Sequence, residues 1–175
     1  MAYKILFSNI GYAKGINGSL RQHIDYFGRH FYCSVPTQRQ ILSQLKAIIT
    51  SEHPALCCFV EIDRGSLQTA QFNQLSALLD DHYAFSDIAD KYGDRSLVGR
   101  LPLHRGKSNA LLANHALNFE RLYFRHGTKR LIYNVTLPAT IPGNIHVFFA
   151  HFSLNAHTRA RQFAEMRRLI LDTPG

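Results

Sequence analysis

Residues 55–63 read Ala-Leu-Cys-Cys-Phe-Val-Glu-Ile-Asp, an apolar run that carries Glu61 near its end. A short run of this composition predicts a buried strand. Two other strand-like runs behave similarly, since one ends on Asn9 and another contains His151. A strand that enters a core should not carry such polar groups unless something compensates their desolvation. Parallel strands gather their ends at one edge of a sheet, where open α/β sheets bind ligands. The three side chains therefore indicate a metal and phosphate site.

The composition is typical of one folded domain. The chain has 175 residues and a mass of 19.9 kDa, with 46% apolar and 18% charged residues, enough for a sizeable core. Twenty basic against twelve acidic residues give a net charge of +8 and a pI near 9.7. This balance favours polyanionic partners such as nucleic acid, phosphorylated ligands or anionic lipid. A basic protein without such a partner would have the same composition.

The cysteines and the N-terminus indicate the compartment. The three cysteines have no CxxC spacing, and two of them lie inside an apolar run, so we expect reduced thiols in a reducing compartment. The N-terminus lacks the apolar stretch of a signal peptide. No window approaches the roughly 18 apolar residues of a membrane span. We therefore expect a cytoplasmic protein without a membrane span.

The order of predicted elements indicates an α/β (α+β) fold, a layered α/β sandwich with mixed β-sheets flanked by helices. No linker divides the chain, so residues 1–175 are expected to form a single domain. The predicted elements are a strand at 3–10, a long loop at 11–34, a helix capped by Thr37, a strand at 55–62, a helix capped by Ser66, a strand at 82–87, strands at 109–114, 121–125, 131–137 and 145–154, and a helix at 158–171.

Five segments together resemble motifs of the endonuclease/exonuclease/phosphatase superfamily, whose best-known branches are deoxyribonuclease-like and sphingomyelinase-like. They occur in the family's order and span nearly the whole chain. The segments are Leu6-Phe-Ser-Asn-Ile-Gly-Tyr12 for the first-strand Asn motif, Phe59-Val-Glu-Ile-Asp63 for the "QE" strand, Gly106-Lys-Ser-Asn-Ala-Leu-Leu112 for the "GNAxLS" strand, Val147-Phe-Phe-Ala-His-Phe-Ser-Leu154 for the "THL" strand, and Arg159 with Gln162 for the following helix.

The resemblance implies a phosphoesterase with Mg²⁺ (or Mn²⁺) held by Glu61. Family members continue after this helix with a "GDxN" strand and an "SDH" segment. The resemblance therefore implies the N-terminal two thirds of a domain, apparently C-terminally truncated and lacking its C-terminal strands. Strands missing from a sheet would leave an unpaired edge. We therefore expect that the chain can form a homo-oligomer through that edge.

Three residues form the predicted catalytic group, and each has a structural alternative. Glu61 is the expected metal ligand, because hard divalent cations prefer carboxylate oxygens, but it could be a surface carboxylate beyond the strand. Asn9 would orient the phosphate through its amide, or it could form an Asx turn toward Gly11. His151 would hydrogen-bond a phosphate oxygen or help to protonate the leaving group, because its reference pKa suits both roles. The alternative is a satisfied core histidine.

Three further residues are weaker candidates for substrate binding. Asp63 could support the site or begin the turn into Gly65, and Tyr12 could be loop packing. The matching residue in the family implies that Asn109 forms hydrogen bonds near the site. Several basic residues are candidate phosphate clamps, although each could be a solvated surface charge; they are Arg95, Arg105, Lys107, Lys129 and Arg130.

We expect a Mg²⁺-dependent, nuclease-like phosphodiesterase. The alternative is a catalytically incompetent family member that binds nucleic acid or another polyanion through its positive charge. The substrate would be a phosphate ester of a nucleic acid, lipid or sugar. The residues expected to select it lie in the loop 11–34 and are Arg21, His23, Tyr26, Arg29 and His30.

Overall fold

A computed structural model describes residues 3–15, 27–93, 96–102 and 104–174 of the chain. Of the predicted substrate-selecting residues, Arg21, His23, Tyr26 and the side chain of His30 lie outside the described residues. The described part forms strands β1 (Ile5–Asn9), β2 (Leu56–Asp63), β3 (Phe85–Asp90), β4 (Lys107–Ala113), β5 (Asn118–Tyr123), β6 (Leu131–Thr136) and β7 (His146–Ala150), and helices α1 (Val35–Glu52), α2 (Leu97–Arg100) and α3 (Ala156–Asp172).

The strands form two sheets. The first sheet is mixed, with the order β1-β2-β4-β3. Strands β1 and β2 are parallel, with Asn9 opposite Val60, and the other pairs are antiparallel. The second sheet is antiparallel, with the order β5-β6-β7. Among the described residues β7 pairs with β6 alone, so its other side is an open edge.

Apolar clusters join the layers. Phe59 of β2 packs with Leu42 of α1 on one face of the first sheet. The opposite face packs against the second sheet, where Tyr133 and Phe149 stack with ring centroids 5.1 Å apart. Met166 of α3 covers the outer face of the second sheet. Helix, sheet, sheet and helix are thus layered in that order, which confirms the predicted α/β sandwich.

The predicted second helix, capped by Ser66, is wrong. The chain forms one 3₁₀ turn at Leu67–Thr69, after which Ala70 has a φ of +53°. A left-handed residue ends a helix after its first turn. The Asp63 carboxylate fixes this turn, because it accepts hydrogen bonds from two backbone N–H groups at 2.8 and 2.6 Å and from the Ser66 hydroxyl at 2.6 Å. Side-chain bonds of this kind compete with helix formation.

The two long helices begin slightly earlier than predicted. Helix α1 starts at Val35, with Ser34 rather than Thr37 at the N-cap position. Helix α3 starts at Ala156, because the Asn155 side chain accepts a hydrogen bond from the backbone N–H of Thr158 at 3.0 Å. No helix in the described part of the chain is both long and apolar enough to cross a membrane.

Candidate active site

A β-bulge in β2 places Glu61. Two residues of β2, Val60 and Glu61, face one residue of β4, Asn109. Phe59 and Ile62 on either side of the bulge both belong to the core beneath α1. Strict alternation would place Glu61 in that apolar core as well, since side chains alternate along a strand. The extra residue, with a φ of +57° at Glu61, turns the carboxylate toward the second sheet instead.

Glu61 meets two residues of the second sheet there, and we call the three the Glu–Lys–His group. Lys129 lies between β5 and β6, and its Nζ is 3.4 Å from Glu61 Oε1 and 2.8 Å from His151 Nε2. His151 directly follows β7, and its Nδ1 is 3.6 Å from the same Glu61 oxygen. The structure thus brings two of the three predicted catalytic residues together from different sheets.

His151 is a neutral imidazole at pH 7. Burial and the neighbouring Lys129 ammonium lower the pKa of His151 to about 4, and the Glu61 carboxylate opposes this only in part. Because Lys129 can only donate, Nε2 is the acceptor and the network assigns the ring proton to Nδ1. Among the described residues Nδ1 has no hydrogen-bond partner. This ring suits hydrogen-bond donation better than acid catalysis near neutrality, in contrast to the expectation from its reference pKa.

Gln162 of α3 positions both partners of Glu61. Its buried Nε2 donates to the carbonyls of Lys129 at 2.9 Å and His126 at 3.0 Å, and its Oε1 accepts from the backbone N–H of Ser153 at 2.8 Å. Gly127 permits this close approach, since it has a φ of +89° and an added Cβ would lie 2.8 Å from Gln162 Nε2. Gln162, which matches the motif of the helix after the "THL" strand, therefore holds the loops that carry Lys129 and His151.

Three lysines surround the ring of Tyr12, and we call these four residues the Tyr12 cluster. The Nζ atoms of Lys91, Lys107 and Lys14 lie 4.9, 5.4 and 5.5 Å from the ring centroid. Such distances allow cation–π attraction. The Lys91 ammonium also donates a hydrogen bond to the Tyr12 hydroxyl.

The lysines of the Tyr12 cluster are desolvated. Burial lowers the pKa of Lys91 to about 7, and it also lowers the pKa values of Lys14 and Lys107. After burial, the Glu61 carboxylate is the largest influence on the pKa of Lys91, and it also raises that of Tyr12. The cluster and the Glu–Lys–His group therefore share one electrostatic environment. A bound anion would stabilise the charged lysines that burial disfavours.

Buried amides hold Tyr12 in its unusual conformation. Tyr12 has a left-handed φ of +58° and ψ of +29°, which is rare for a bulky residue and concentrates at functional sites. Its carbonyl accepts a hydrogen bond from Gln74 Nε2 at 2.6 Å, and the same nitrogen donates to Gln38 at 2.8 Å. Gln74 Oε1 accepts from the backbone N–H of Asp63 at 3.0 Å. This amide network fixes Tyr12 relative to the end of β2.

The remaining predicted residues occupy different environments. Asn9 Oδ1 accepts a hydrogen bond from the backbone N–H of Gly11 at 3.0 Å, so the Asx turn is formed. Asp63 is buried, and its carboxylate is bonded within the turn that contains Ser66. Asn109 is also buried, and neither atom of its amide has a partner among the described residues. A buried unpaired amide is costly, which makes Asn109 the stronger of these candidates for a ligand contact.

Glu61 is compatible with a sparsely liganded Mg²⁺ site. Among the described residues no group of three or more His, Cys, Asp or Glu side chains could hold a metal ion. Mg²⁺ nevertheless often takes only one or two carboxylates and completes its shell with water and substrate phosphate oxygens. The donor set therefore fits Mg²⁺ bound by the Glu61 carboxylate together with a phosphate ligand. The Lys129 ammonium, 3.4 Å from Glu61 Oε1, competes for the same carboxylate.

Sequence reasoning missed Lys91 and gave no special place to Lys129. Lys91 follows β3 in the polar stretch Asp90-Lys-Tyr-Gly93, which looks like an ordinary turn. It is nevertheless 4% exposed. No local pattern indicates its burial, because the contact with Tyr12 joins residues 79 positions apart.

Comparison with known proteins identifies the fold. No family model matches the chain, and no curated protein matches its sequence. Solved structures do match, and they show that the chain has the fold of the endonuclease/exonuclease/phosphatase superfamily over nearly its whole length. The resemblance stated from the sequence motifs is thereby confirmed at the level of the fold.

Three solved structures illustrate the match. An endonuclease/exonuclease/phosphatase from Beutenbergia cavernae is 17% identical, with a TM-score of 0.58 over 97% of this chain and 44% of that chain. A family protein from Leptotrichia buccalis is 15% identical, with a TM-score of 0.55 over 99% of this chain and 64% of that one. A functionally unknown conserved protein from Enterococcus faecalis is 16% identical, with a TM-score of 0.57 over 96% and 60% of the two chains. The chain thus spans less than two thirds of the length of each.

Proposed function

We propose that the chain carries the metal- and phosphate-binding part of a Mg²⁺-dependent phosphoesterase that hydrolyses phosphodiester bonds. The observation that carries the proposal is the meeting of Glu61 and His151 beside Lys129, close to the desolvated lysines around Tyr12. The fold supports the same class of reaction, although fold alone does not define an activity. The compartment proposed with it is the cytoplasm, because all three cysteines are free and buried.

The chain's own residues would bind and orient the phosphate. The ammonium groups of the Tyr12 cluster supply charge-assisted hydrogen bonds to phosphate oxygens. Neutral His151 would donate a hydrogen bond to the phosphate through Nδ1–H. The Lys129 ammonium, which lies beside Nε2 of the same ring, would donate another. The unpaired amide of Asn109 offers a donor nitrogen and an acceptor oxygen beside the bulge. Asn9 lies next to β2 in the sheet and would join these contacts if its Asx turn opened.

The bound Mg²⁺ would supply charge neutralisation of the phosphate and a more acidic water. Glu61 would hold it through its carboxylate. Binding at this carboxylate requires Lys129 to turn its ammonium from Glu61 toward the phosphate. Desolvated surroundings strengthen each of these electrostatic contacts.

A hydrolysis assay tests the proposal. The full chain, and the product of the longest open reading frame that contains it, would be incubated with bis-p-nitrophenyl phosphate and with plasmid DNA, with and without Mg²⁺. We expect Mg²⁺-dependent turnover that falls at least a hundredfold in Glu61→Gln. Glu120→Gln is the matched control, because Glu120 is an exposed glutamate on β5. Equal activity of Glu61→Gln and the parent would refute the site.

A second candidate function is polyanion binding without hydrolysis. The ion pair between Lys129 and Glu61 favours it, since that carboxylate already has a cationic partner. This function predicts salt-sensitive binding of nucleic acid with no turnover under any metal condition. Fluorescence anisotropy with a labelled oligonucleotide, run beside the hydrolysis assay, separates the two candidates.

A further inference from the structure

Three arginines line a pair of clefts, and three exposed leucines lie on the same segments of chain; we call these six residues the Arg–Leu surface. The arginines each line two adjoining clefts with volumes of about 330 and 640 Å³. One leucine lines the larger cleft, and the other two lie at the ends of α2. The residues are Arg64, Arg100, Arg105, Leu67 (57% exposed), Leu97 (76% exposed) and Leu101 (52% exposed).

Backbone hydrogen bonds hold this surface in place. The N–H of Arg64 donates to the carbonyl of Gly106 at 2.9 Å, and the N–H of Arg105 donates to the carbonyl of Leu101 at 2.9 Å. Gly106 has a φ of +96°, and an added Cβ would lie 2.9 Å from the backbone nitrogen of Ser66. The loop before β4 is therefore tied closely to the end of β2, and the arginines on both segments share one cleft.

The Arg–Leu surface adjoins the candidate active site. Arg64 directly follows Asp63 at the end of β2, and Arg105 precedes Lys107 of the Tyr12 cluster by two residues. The end of β2 and the start of β4 thus place two of the arginines beside residues of the candidate active site. Asp90 is the only acidic residue among the described residues that line the clefts. The surface therefore carries an excess of positive charge.

We propose that the Arg–Leu surface binds an anionic lipid bilayer. Exposed large apolar side chains beside basic ones are typical of surfaces that enter the headgroup region. Guanidinium groups match the phosphate and carboxylate groups of lipid headgroups in a bidentate geometry. A single-stranded nucleic acid would instead favour aromatic stacking platforms. None of the described residues lining these clefts is aromatic.

Docking in this way would bring the strand ends that carry Glu61 and Tyr12 close to the bilayer. If the proposed phosphoesterase function holds, lipid headgroup phosphates would then lie near the active site. Membrane binding itself needs no turnover, so it can be tested when the phosphoesterase assay is negative.

Vesicle co-sedimentation of the full chain tests the proposal. One set of vesicles is pure phosphatidylcholine, and the other contains about one third phosphatidylserine, because anionic lipid creates the surface potential that attracts basic residues. We expect binding only to the anionic vesicles, weakened by salt. The variant Arg64→Ala/Arg100→Ala/Arg105→Ala should bind on the order of a hundredfold more weakly. Circular dichroism checks that each variant remains folded.

Two further variants make the test specific. The variant Leu67→Ser/Leu97→Ser/Leu101→Ser keeps all charges and should lose roughly tenfold or more in vesicle affinity. A matched control removes three exposed arginines of α3 and should bind within about threefold of the parent; these are Arg161, Arg167 and Arg168.

Three results would overturn the proposal. The first is equal binding to both kinds of vesicle. The second is loss of binding in the α3 control but not in the arginine variant. The third is unchanged vesicle binding in an arginine variant that loses affinity for a single-stranded DNA oligonucleotide, which would identify nucleic acid as the ligand.

Discussion

Glycine at position 61 should behave differently from glycine elsewhere in a strand. Glu61 has a φ of +57°, which costs an L-residue about 1–2 kcal/mol and costs glycine little. Glycine inside an ordinary strand costs roughly 0.5–1 kcal/mol through chain entropy. Glu61→Gln keeps the Cβ and the strain, and both substitutions remove the ion pair with Lys129. We therefore expect Glu61→Gly to be more stable than Glu61→Gln by about 1 kcal/mol.

The matched comparison is made at Glu120. This glutamate is exposed in β5 and has a negative φ, so Glu120→Gly should be less stable than Glu120→Gln by about 1 kcal/mol. Urea unfolding followed by far-UV circular dichroism suits a chain without tryptophan. A glycine penalty at position 61 equal to the penalty at position 120 would refute the strain. Both Glu61 variants should lack phosphodiesterase activity, which separates the effect on stability from the effect on function.

The other predictions concern buried polar groups and the open sheet edge. Burial lowers the pKa of Lys91 from 10.5 to about 7, so the unfolded chain takes up this proton first and the protein loses stability as the pH falls across that window. The unfolding free energy of Lys91→Met minus that of the parent should therefore increase as the pH falls from 10.5 to 7 and stay constant below pH 7. A difference that does not change across the pH series would disprove this. Asn109→Leu should raise the unfolding free energy by about 1–3 kcal/mol, because it removes an unpaired buried amide, while weakening phosphate binding in calorimetry; a destabilised variant would reveal a partner for the amide. The open edge of β7 should allow homo-oligomers that Phe148→Lys reduces, and light scattering of a strictly monomeric parent would contradict this.

The sandwich could be predicted because its strands are marked by composition. The apolar run in β2 and the one in β7 identify buried strands without knowledge of their partners. The helix predicted after Ser66 failed because apolar residues at helical spacing, such as Leu75 and Leu78, can also pack into a core from turns. The hydrogen bonds of Asp63 that decide between the two outcomes are not visible in a hydrophobic pattern.

The candidate site could be predicted in part. Polar residues at the ends of apolar strands predicted that Glu61 and His151 converge, but the predicted reason, parallel strands that end at one edge of a sheet, is wrong because β2 and β7 belong to different sheets. The bulge that turns Glu61 depends on the pairing of β2 with β4, which local sequence does not specify. The neutral state of His151 depends on burial and on Lys129, a residue from another loop. Contacts between distant loops therefore account for most of what was missed.

The amide network behind Tyr12 also has a practical meaning for protein engineering. The network extends to Cys33, whose backbone N–H bonds to the carbonyl of Gln68 at 2.8 Å and whose carbonyl accepts a hydrogen bond from Gln38 Nε2 at 2.8 Å. Gln74 bonds the carbonyl of Tyr12 and the side chain of Gln38, and Gln38 in turn bonds the carbonyl of Thr69. Substitutions meant to change specificity are therefore better placed outside Gln38 and Gln74, which hold Tyr12 in position. Randomised libraries that spare both glutamines would sample new specificities while keeping Tyr12 in place beside Lys91.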